Sequence, residues 1–197
     1  PISLAEMDRV KLMNRIDTKF AFRISLLEEL LHELKAEYKI LEINTIRLPK
    51  YESLYFDDEK FSFFQDHHKG KTNRFKVRIR KYVESNLLFL EIKHKFKGRT
   101  DKKRIETTDF TPFFDDIQQK FIAKQLKKDI ALNPTMWNTF QRLTLVHNVL
   151  NERLTLDFNI EFKFGEISCP FPNLVISELK QEKINRSGSS VLLCCHI

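Results

Sequence analysis

The 197-residue chain is poor in the residues that punctuate or cross-link irregular structure, with 3 Cys, 4 Gly, 6 Pro and a single Trp. So little glycine and proline, beside 42% apolar and 31% charged residues, excludes collagen-like, low-complexity and disordered classes. The cysteines, two of them adjacent at 194 and 195, make no disulfide framework and point to a reducing, cytoplasmic setting. Apolar runs stop at about five residues, as at Val191 to Cys195, far short of the roughly 20 that span a bilayer. The opening Pro-Ile-Ser-Leu-Ala-Glu-Met-Asp-Arg has no initiator Met and no basic stretch leading into an apolar core. It reads as trimmed rather than as a targeting segment. These exclusions predict one folded domain over 1–197.

What the chain does have is phenylalanine, 18 residues of it, and a net charge of +7. The charge is local. Lys69 to Arg104 holds fourteen Lys and Arg against Glu84, Glu91 and Asp101, so the segment carries +11 and the rest of the chain −4. Such a concentration implies a polyanionic ligand: nucleic acid, an acidic membrane surface or a phosphate compound.

Spacing narrows the choice. Arg74, Lys76, Arg78 and Arg80 alternate with Phe75, Val77 and Ile79, and in a strand period two puts all four cations on one face. Leu87 to Phe96 repeats the pattern with Glu91, Lys93 and Lys95, and a third run with Lys102, Arg104 and Glu106. Short links at 84–86 and 97–99 predict an antiparallel meander. Arg15, Asp17 and Lys19, then Arg153, Thr155, Asp157 and Asn159, then Glu178 and Lys180 follow the same rule, which makes at least six strands charged on one face. The fold class expected is α+β: an antiparallel β-barrel with a polar, basic interior and helices packed outside. Two helices can cover the apolar faces. One is capped at Ser25 and carries Leu27, Leu30, Leu31 and Leu34 to about Glu37. The other starts at Thr111-Pro112 and offers Phe114, Ile117, Phe121 and Ile122 for burial. Asp57 to Asp66 reads as a short helix or a loop.

Several familiar motifs fail. Gly70-Lys71-Thr72 lacks the earlier glycine of a P-loop, because Gln65 stands there. His67-His68 has no second His/Cys cluster at zinc-site spacing, Cys194-Cys195-His196 has no partners, and no nucleophile elbow is present.

The surviving pieces resemble one family. Asn14-Arg-Ile-Asp-Thr-Lys-Phe20, Tyr55-Phe56-Asp57, Asn73-Arg-Phe-Lys-Val-Arg-Ile-Arg-Lys-Tyr82, Phe89-Leu-Glu-Ile-Lys93 and Lys102-Lys-Arg-Ile105 are similar to the VTC domain. So are Phe140-Gln-Arg142, Arg153-Leu-Thr-Leu-Asp157 and Leu174-Val-Ile-Ser-Glu-Leu-Lys180. That domain is the catalytic module of polyphosphate polymerases within the triphosphate tunnel metalloenzyme, or CYTH-like, superfamily. The resemblance covers about residues 10 to 182 and implies a basic tunnel that holds a triphosphate and a divalent metal, Mn or Mg. The activity implied is transfer of the ATP γ-phosphoryl group to a growing polyphosphate chain, with pyrophosphate or phosphate as primer. Lys19, Arg78, Arg80 and Lys93 are then the catalytic candidates. Arg74, Lys102, Arg104, Arg142, Arg153 and Lys180 are phosphate contacts, joined on spacing alone by Lys76 and Lys95. Glu178 is the metal ligand. The superfamily's Glu-x-Glu-x-Lys opening is here Arg15-Ile-Asp17-Thr-Lys19, so metal binding rests on Glu178. The family pattern ends in a Ser-Lys-Tyr strand, whereas residues 186–197 hold no such Lys, so the resemblance implies an incomplete or altered C-terminal end as well as a trimmed start.

Two other functions remain open on the sequence. A triphosphatase uses the same machinery with water as acceptor, and a non-catalytic module would bind polyphosphate or RNA through the basic face. Against RNA, most Phe residues alternate to the face opposite the cations, and Asp17, Glu91, Asp157 and Glu178 on the basic faces repel nucleic acid and suit a metal. No nucleic-acid partner is therefore expected. A membrane-protein partner is compatible with the sequence, and no assembly state is implied.

Overall fold

The computed structural model describes residues 1–7, 16–97 and 99–182. Helix α1 (Leu4–Met7) precedes β1 (Ile16–Arg23), a 3₁₀ turn at Ile24–Leu26, α2 (Leu27–Leu34), β2 (Tyr38–Ile40) and β3 (Lys50–Asp57). Then come α3 (Ser62–His68), β4 (Asn73–Tyr82), β5 (Leu87–Phe96) and β6 (Arg99–Thr107). Helix α4 (Asp116–Leu126) leads to β7 (Asn133–His147), β8 (Glu152–Phe164), β9 (Ile167–Phe171) and β10 (Leu174–Gln181).

Hydrogen bonding orders the strands β1-β10-β8-β7-β3-β4-β5-β6, with β2 on β7 and β9 on β8. The fold is the expected antiparallel sheet with few helices, and β4, β5 and β6 form the expected meander. Hydrogen-bonded closure into a barrel is not found among the described residues, where the path has two ends, β1 and β6. The sequence of β6 explains its place at an edge. Ile105 is its one large apolar residue, most of its length is exposed, and charged edges resist further pairing. Arg15, Gly98 and the chain end from 183, with Cys194, Cys195 and His196, lie outside the described residues.

The chain divides into two compact units, Pro1–Lys50 with Phe140–Glu161 and Pro170–Ile197, and Tyr51–Thr139 with Phe162–Cys169. Each obeys the same logic. In the first, Leu30 and Leu34 of α2 pack with Phe22, Leu143, Leu145, Leu154, Leu156, Val175 and Leu179. In the second, Ile122 and Leu126 of α4 pack with Leu54, Phe56, Val77, Ile79, Leu90 and Ile92. Helices thus take the apolar face of alternating strands and leave the charged face to chemistry.

Local details differ from the sequence reading. Ser25 does not cap α2, because the chain enters through the 3₁₀ turn and no side-chain cap bond forms; the helix ends at Leu34, short of Glu37. Helix α4 begins at Asp116 and not at Thr111, because Asp115 and Gln118 form a reciprocal capping box four residues later. Ile117 consequently points outward and is 73% exposed. Period two does not reveal β7, since apolar residues occupy both parities: Met136, Phe140 and Val146 against Trp137, Leu143 and Leu145.

Within 57–66 the structure is helical from Ser62, and two aspartates set it. Asp57 accepts from Phe63 N at 2.9 Å and Phe64 N at 2.8 Å, and Asp58 from Ser62 N at 2.9 Å, which satisfies the first turn while Phe61 adopts φ 52°. Asp57→Ala is expected to cost about 2 kcal/mol, and so to lower the melting midpoint by roughly 4–8 °C, measurable by calorimetry. An unchanged midpoint would show that this cap is dispensable.

Candidate functional site

The predicted residues fall in both units, and each set has its own geometry. In the second unit Val77 and Ile79 are fully buried in the core, so Lys76, Arg78 and Arg80 occupy the opposite face of β4. Register supplies their neighbours. Tyr55, Arg78, Glu91 and Arg104 form one cross-strand row, and Ser53, Arg80, Phe89 and Glu106 another. Lys76, Lys93 and Lys102 stand directly opposite one another, and beyond them lie Arg74, Lys95 and Thr100. Like charges in register destabilise a sheet, so an all-lysine row serves something other than stability.

Glu91 organises this face from beneath. Its side chain is wholly buried; Oε2 accepts from Arg78 Nε at 2.9 Å and Nη2 at 2.7 Å, while Oε1 pairs with Lys102 Nζ. Burial raises its pKa, but Arg78 and Lys102 outweigh that and hold it at about 2. Arg78 Nη1 donates to the Tyr55 hydroxyl at 3.0 Å, and Arg80 Nε to Ser53 Oγ at 3.1 Å. Burial lowers the Arg78 pKa, yet Tyr55 and Glu91 raise it overall. Burial likewise opposes ionisation of Tyr55, but Arg78 and Arg80 bring its phenol below the ordinary value. These contacts hold the guanidiniums at fixed positions.

Lys93 is in the opposite position. Burial, then the charges of Arg78 and Arg80, pull its ammonium down to about 6 despite Glu91. Lys102 is lowered too, by burial and by Arg78 and Arg104 against the pull of Glu91. The face therefore carries more cation than its buried carboxylate can balance, and an anion would relieve both perturbations.

The remaining candidates of this unit are less tightly held. Arg104 lies over the Phe89 ring, 4.3 Å from its centroid. Arg74 Nη1 donates to the Lys71 carbonyl at 2.6 Å, at the head of β4, with Lys95 opposite in register. The sequence reading missed Tyr51, Tyr55, Ser53 and Phe89 as members of this face. Tyr55 stood in a recognised motif without a role, and only strand register sets it beside Arg78. Their rings meet guanidiniums, with Arg80 5.5 Å from the Tyr51 centroid and Arg78 5.8 Å from that of Tyr55.

In the first unit β1, β10 and β8 align Asp17 with Lys180 and Arg153, and Lys19 with Glu178 and Thr155. Lys180 Nζ donates to Glu178 Oε2, and Lys19 Nζ lies 4.0 Å from Oε1. Arg142 grips Asp157 with a two-bond fork, both bonds 2.6 Å. Arg153 Nη1 reaches Met7 Sδ at 3.8 Å. Burial raises the Glu178 pKa, but Lys180, Lys19 and Arg142 lower it overall. The Lys180 ammonium is lowered by burial, and by Arg142, against Glu178 and Asp17. Lys19, Arg142, Arg153, Glu178 and Lys180 are thus neighbours on one polar face. Asp157 is the partner the sequence reading did not give Arg142.

Among the described residues no three His, Cys, Asp or Glu side chains gather to hold a metal by themselves. Mg²⁺ or Mn²⁺ on a polyphosphate asks less, because phosphate oxygens and water fill most of its positions and one carboxylate is enough. Glu178 fits that demand: it is ionised, and its Oε1 lies beyond hydrogen-bond distance of Lys19. Glu91 does not, since both oxygens are engaged by Arg78 and Lys102.

The fold recurs in solved proteins. A candidate adenylate cyclase from Bacillus halodurans aligns with a TM-score of 0.56 and 12% identity, over 90% of this chain and 84% of its own. Another from Vibrio parahaemolyticus aligns with a TM-score of 0.51 and 11% identity, over 91% and 82%. No curated protein matches the sequence. These likenesses are of fold, an antiparallel sheet with few helices. The model of the VTC domain matches residues 14–192, and the chain belongs to that family.

No helix among the described residues is long and apolar enough to cross a membrane.

Proposed function

We propose that the protein is a metal-dependent phosphotransferase that moves the γ-phosphoryl group of ATP onto a growing polyphosphate chain. The carrying observation is the Lys76, Lys93 and Lys102 row beside Arg78 and Arg80, a face whose buried carboxylate is already engaged. Membership of the VTC family supports a polyphosphate product.

Phosphoryl transfer asks for alignment and charge neutralisation more than covalent help. A terminal oxygen of the acceptor chain attacks the γ-phosphorus, a new P–O–P link forms, and the bond to the β-phosphate oxygen breaks, leaving its electron pair on ADP. Arg78 and Arg80, braced by Glu91, Tyr55 and Ser53, offer forked donors to phosphate oxygens. Lys93, Lys102 and Lys76 supply point charge, with Arg74, Lys95 and Arg104 extending the grip. Lys19, Arg142, Arg153 and Lys180 hold phosphate in the first unit. Glu178 would hold Mn²⁺ or Mg²⁺, which supplies further neutralisation of phosphate charge.

Incubating the pure protein with ATP and Mn²⁺, and resolving the products on a gel, tests this. Long polyphosphate is the expected product. Free phosphate alone would make it a hydrolase, and no turnover would leave a binding module; either contradicts the proposal. Glu178→Gln is expected to raise the metal concentration for half-maximal turnover by at least about tenfold, since a neutral amide is a poor ligand for a hard cation. An unchanged metal requirement would remove Glu178 from the metal site.

A further inference from the structure

The phosphate-binding face takes up eight of the fourteen Lys and Arg between Lys69 and Arg104. Four that it leaves, Lys69, Lys71, Lys97 and Arg99, are all exposed and gather at one end of the β4-β5-β6 meander. Backbone pairing brings them there. Strands β5 and β6 close on the Phe96–Arg99 pair, and Lys97 N donates to the Thr72 carbonyl at 3.2 Å, which ties the 69–72 loop to the hairpin tip. Carboxylates answer little of this charge. Asp66 pairs with Lys71 at 2.6 Å and Asp101 with Lys103 at 3.5 Å, but among the described residues Lys69, Lys97 and Arg99 meet none; Lys69 Nζ donates to the neutral Gln65 amide oxygen at 3.4 Å. An apolar group stands among these cations. Phe96 is 48% exposed even though its ring has neighbours, His94 at 5.9 Å and the Lys97 ammonium at 5.4 Å. His94 is itself stacked on Phe75, 4.2 Å between centroids, so the Phe96 ring is propped from the sheet while half of it meets water.

From this juxtaposition we infer that the hairpin end of the second unit docks on a membrane whose headgroups are anionic. Cations spread about a tip meet several headgroups at once, and a cluster of about four to eight Lys and Arg is the composition that holds a protein to acidic lipid. The ring decides between a lipid surface and a soluble chain of phosphates. Such a chain gives Phe96 nothing to bury in, whereas the boundary between headgroups and acyl chains takes an aromatic ring flanked by Lys and Arg. Phe96 enters that boundary while Lys97 and Arg99 stay at headgroup level, and the 69–72 loop adds Lys69 and Lys71 beside them. This surface is separate from phosphoryl transfer: Lys69, Lys71, Phe96, Lys97 and Arg99 hold no phosphate in the reaction proposed above.

Cosedimentation with vesicles of phosphatidylcholine alone, or of phosphatidylcholine and phosphatidylserine in equal parts, tests this. Wild type is expected to bind the mixed vesicles and to leave the neutral ones in the supernatant. Lys69→Gln/Lys97→Gln/Arg99→Gln should weaken binding to the mixed vesicles by about 100-fold, and Phe96→Ser by about fivefold. Lys81→Gln serves as the charge control, because it lies eight residues along β4 from Asn73, roughly 27 Å from the tip and beyond the reach of screened charge. It should stay within about twofold of wild type, whereas Lys97→Gln alone loses about fivefold. All these side chains are exposed or partly so, and circular dichroism verifies that each variant keeps the fold. Failure of wild type to bind the mixed vesicles, equal binding to both kinds, or equal losses in Lys81→Gln and Lys97→Gln would overturn the docking surface. An unchanged Phe96→Ser would overturn the choice of a membrane over a soluble polyanion. None of these outcomes touches ATP turnover, which is measured without vesicles.

Discussion

Arg80→Ala lowers ATP turnover by about 10²–10³-fold and leaves the melting midpoint within a few degrees, whereas Arg78→Ala loses turnover and stability together. The difference lies beneath the two guanidiniums. Arg80 Nε donates to a neutral hydroxyl, Ser53 Oγ, but Arg78 supplies two of the bonds that keep the wholly buried Glu91 ionised. Removing one partner of such a pair leaves a buried charge and costs about 3–5 kcal/mol. Replacing both members by apolar residues of similar size avoids that cost, so Arg78→Met with Glu91→Leu should regain most of the lost stability and none of the activity. Steady-state kinetics and thermal unfolding on the three variants decide it. Normal turnover in Arg80→Ala would count heavily against the assigned role of this face. An unaltered midpoint in Arg78→Ala would refute the structural part.

Lys93→Met should have the opposite signature, a more stable protein that has lost function. In the ligand-free protein burial, Arg78 and Arg80 hold the Lys93 pKa at about 6, below the roughly 10.4 of an unfolded chain. Between those values the unfolded state binds the extra proton, so wild-type stability rises with pH across about 6 to 10 through this group. Methionine removes that dependence and raises the midpoint near pH 7 by roughly 2–4 °C. Ligand works in the same direction on the group itself: a triphosphate set beside Lys93 favours the ammonium, so binding at pH 7 to 8 takes up a proton. Calorimetry in buffers of different ionisation enthalpy should find uptake of up to about one proton in wild type and distinctly less in Lys93→Met. Equal uptake in both would mean that Lys93 is not the group charged by the ligand.

Much of this face is legible in the amino-acid order because period two is a strong signal where cations and Phe, Val, Ile or Leu alternate without interruption. Arg74 to Arg80 is such a run and lies within β4, and Leu87 to Phe96, read with Glu91, Lys93 and Lys95 on one face, coincides with β5. The covering role of both helices is also readable from their leucine and isoleucine spacing. Their starts are not, because a competing cap decides each: Asp115 overrides Thr111, and a 3₁₀ turn overrides Ser25. Partners escaped for a different reason. That Glu91 pairs with Arg78 and Lys102, that Arg142 grips Asp157, and that Tyr55 braces a guanidinium depend on register between strands many residues apart.

The affinity for inorganic tripolyphosphate at pH 7, compared between wild type and the Lys76→Met/Lys93→Met variant, bears most directly on the central claim that an opposed row of lysines exists to be neutralised by phosphate. The account predicts binding in wild type and a loss of about 100-fold in the variant, whose fold is retained or stabilised. Equal affinity in the two proteins would contradict it.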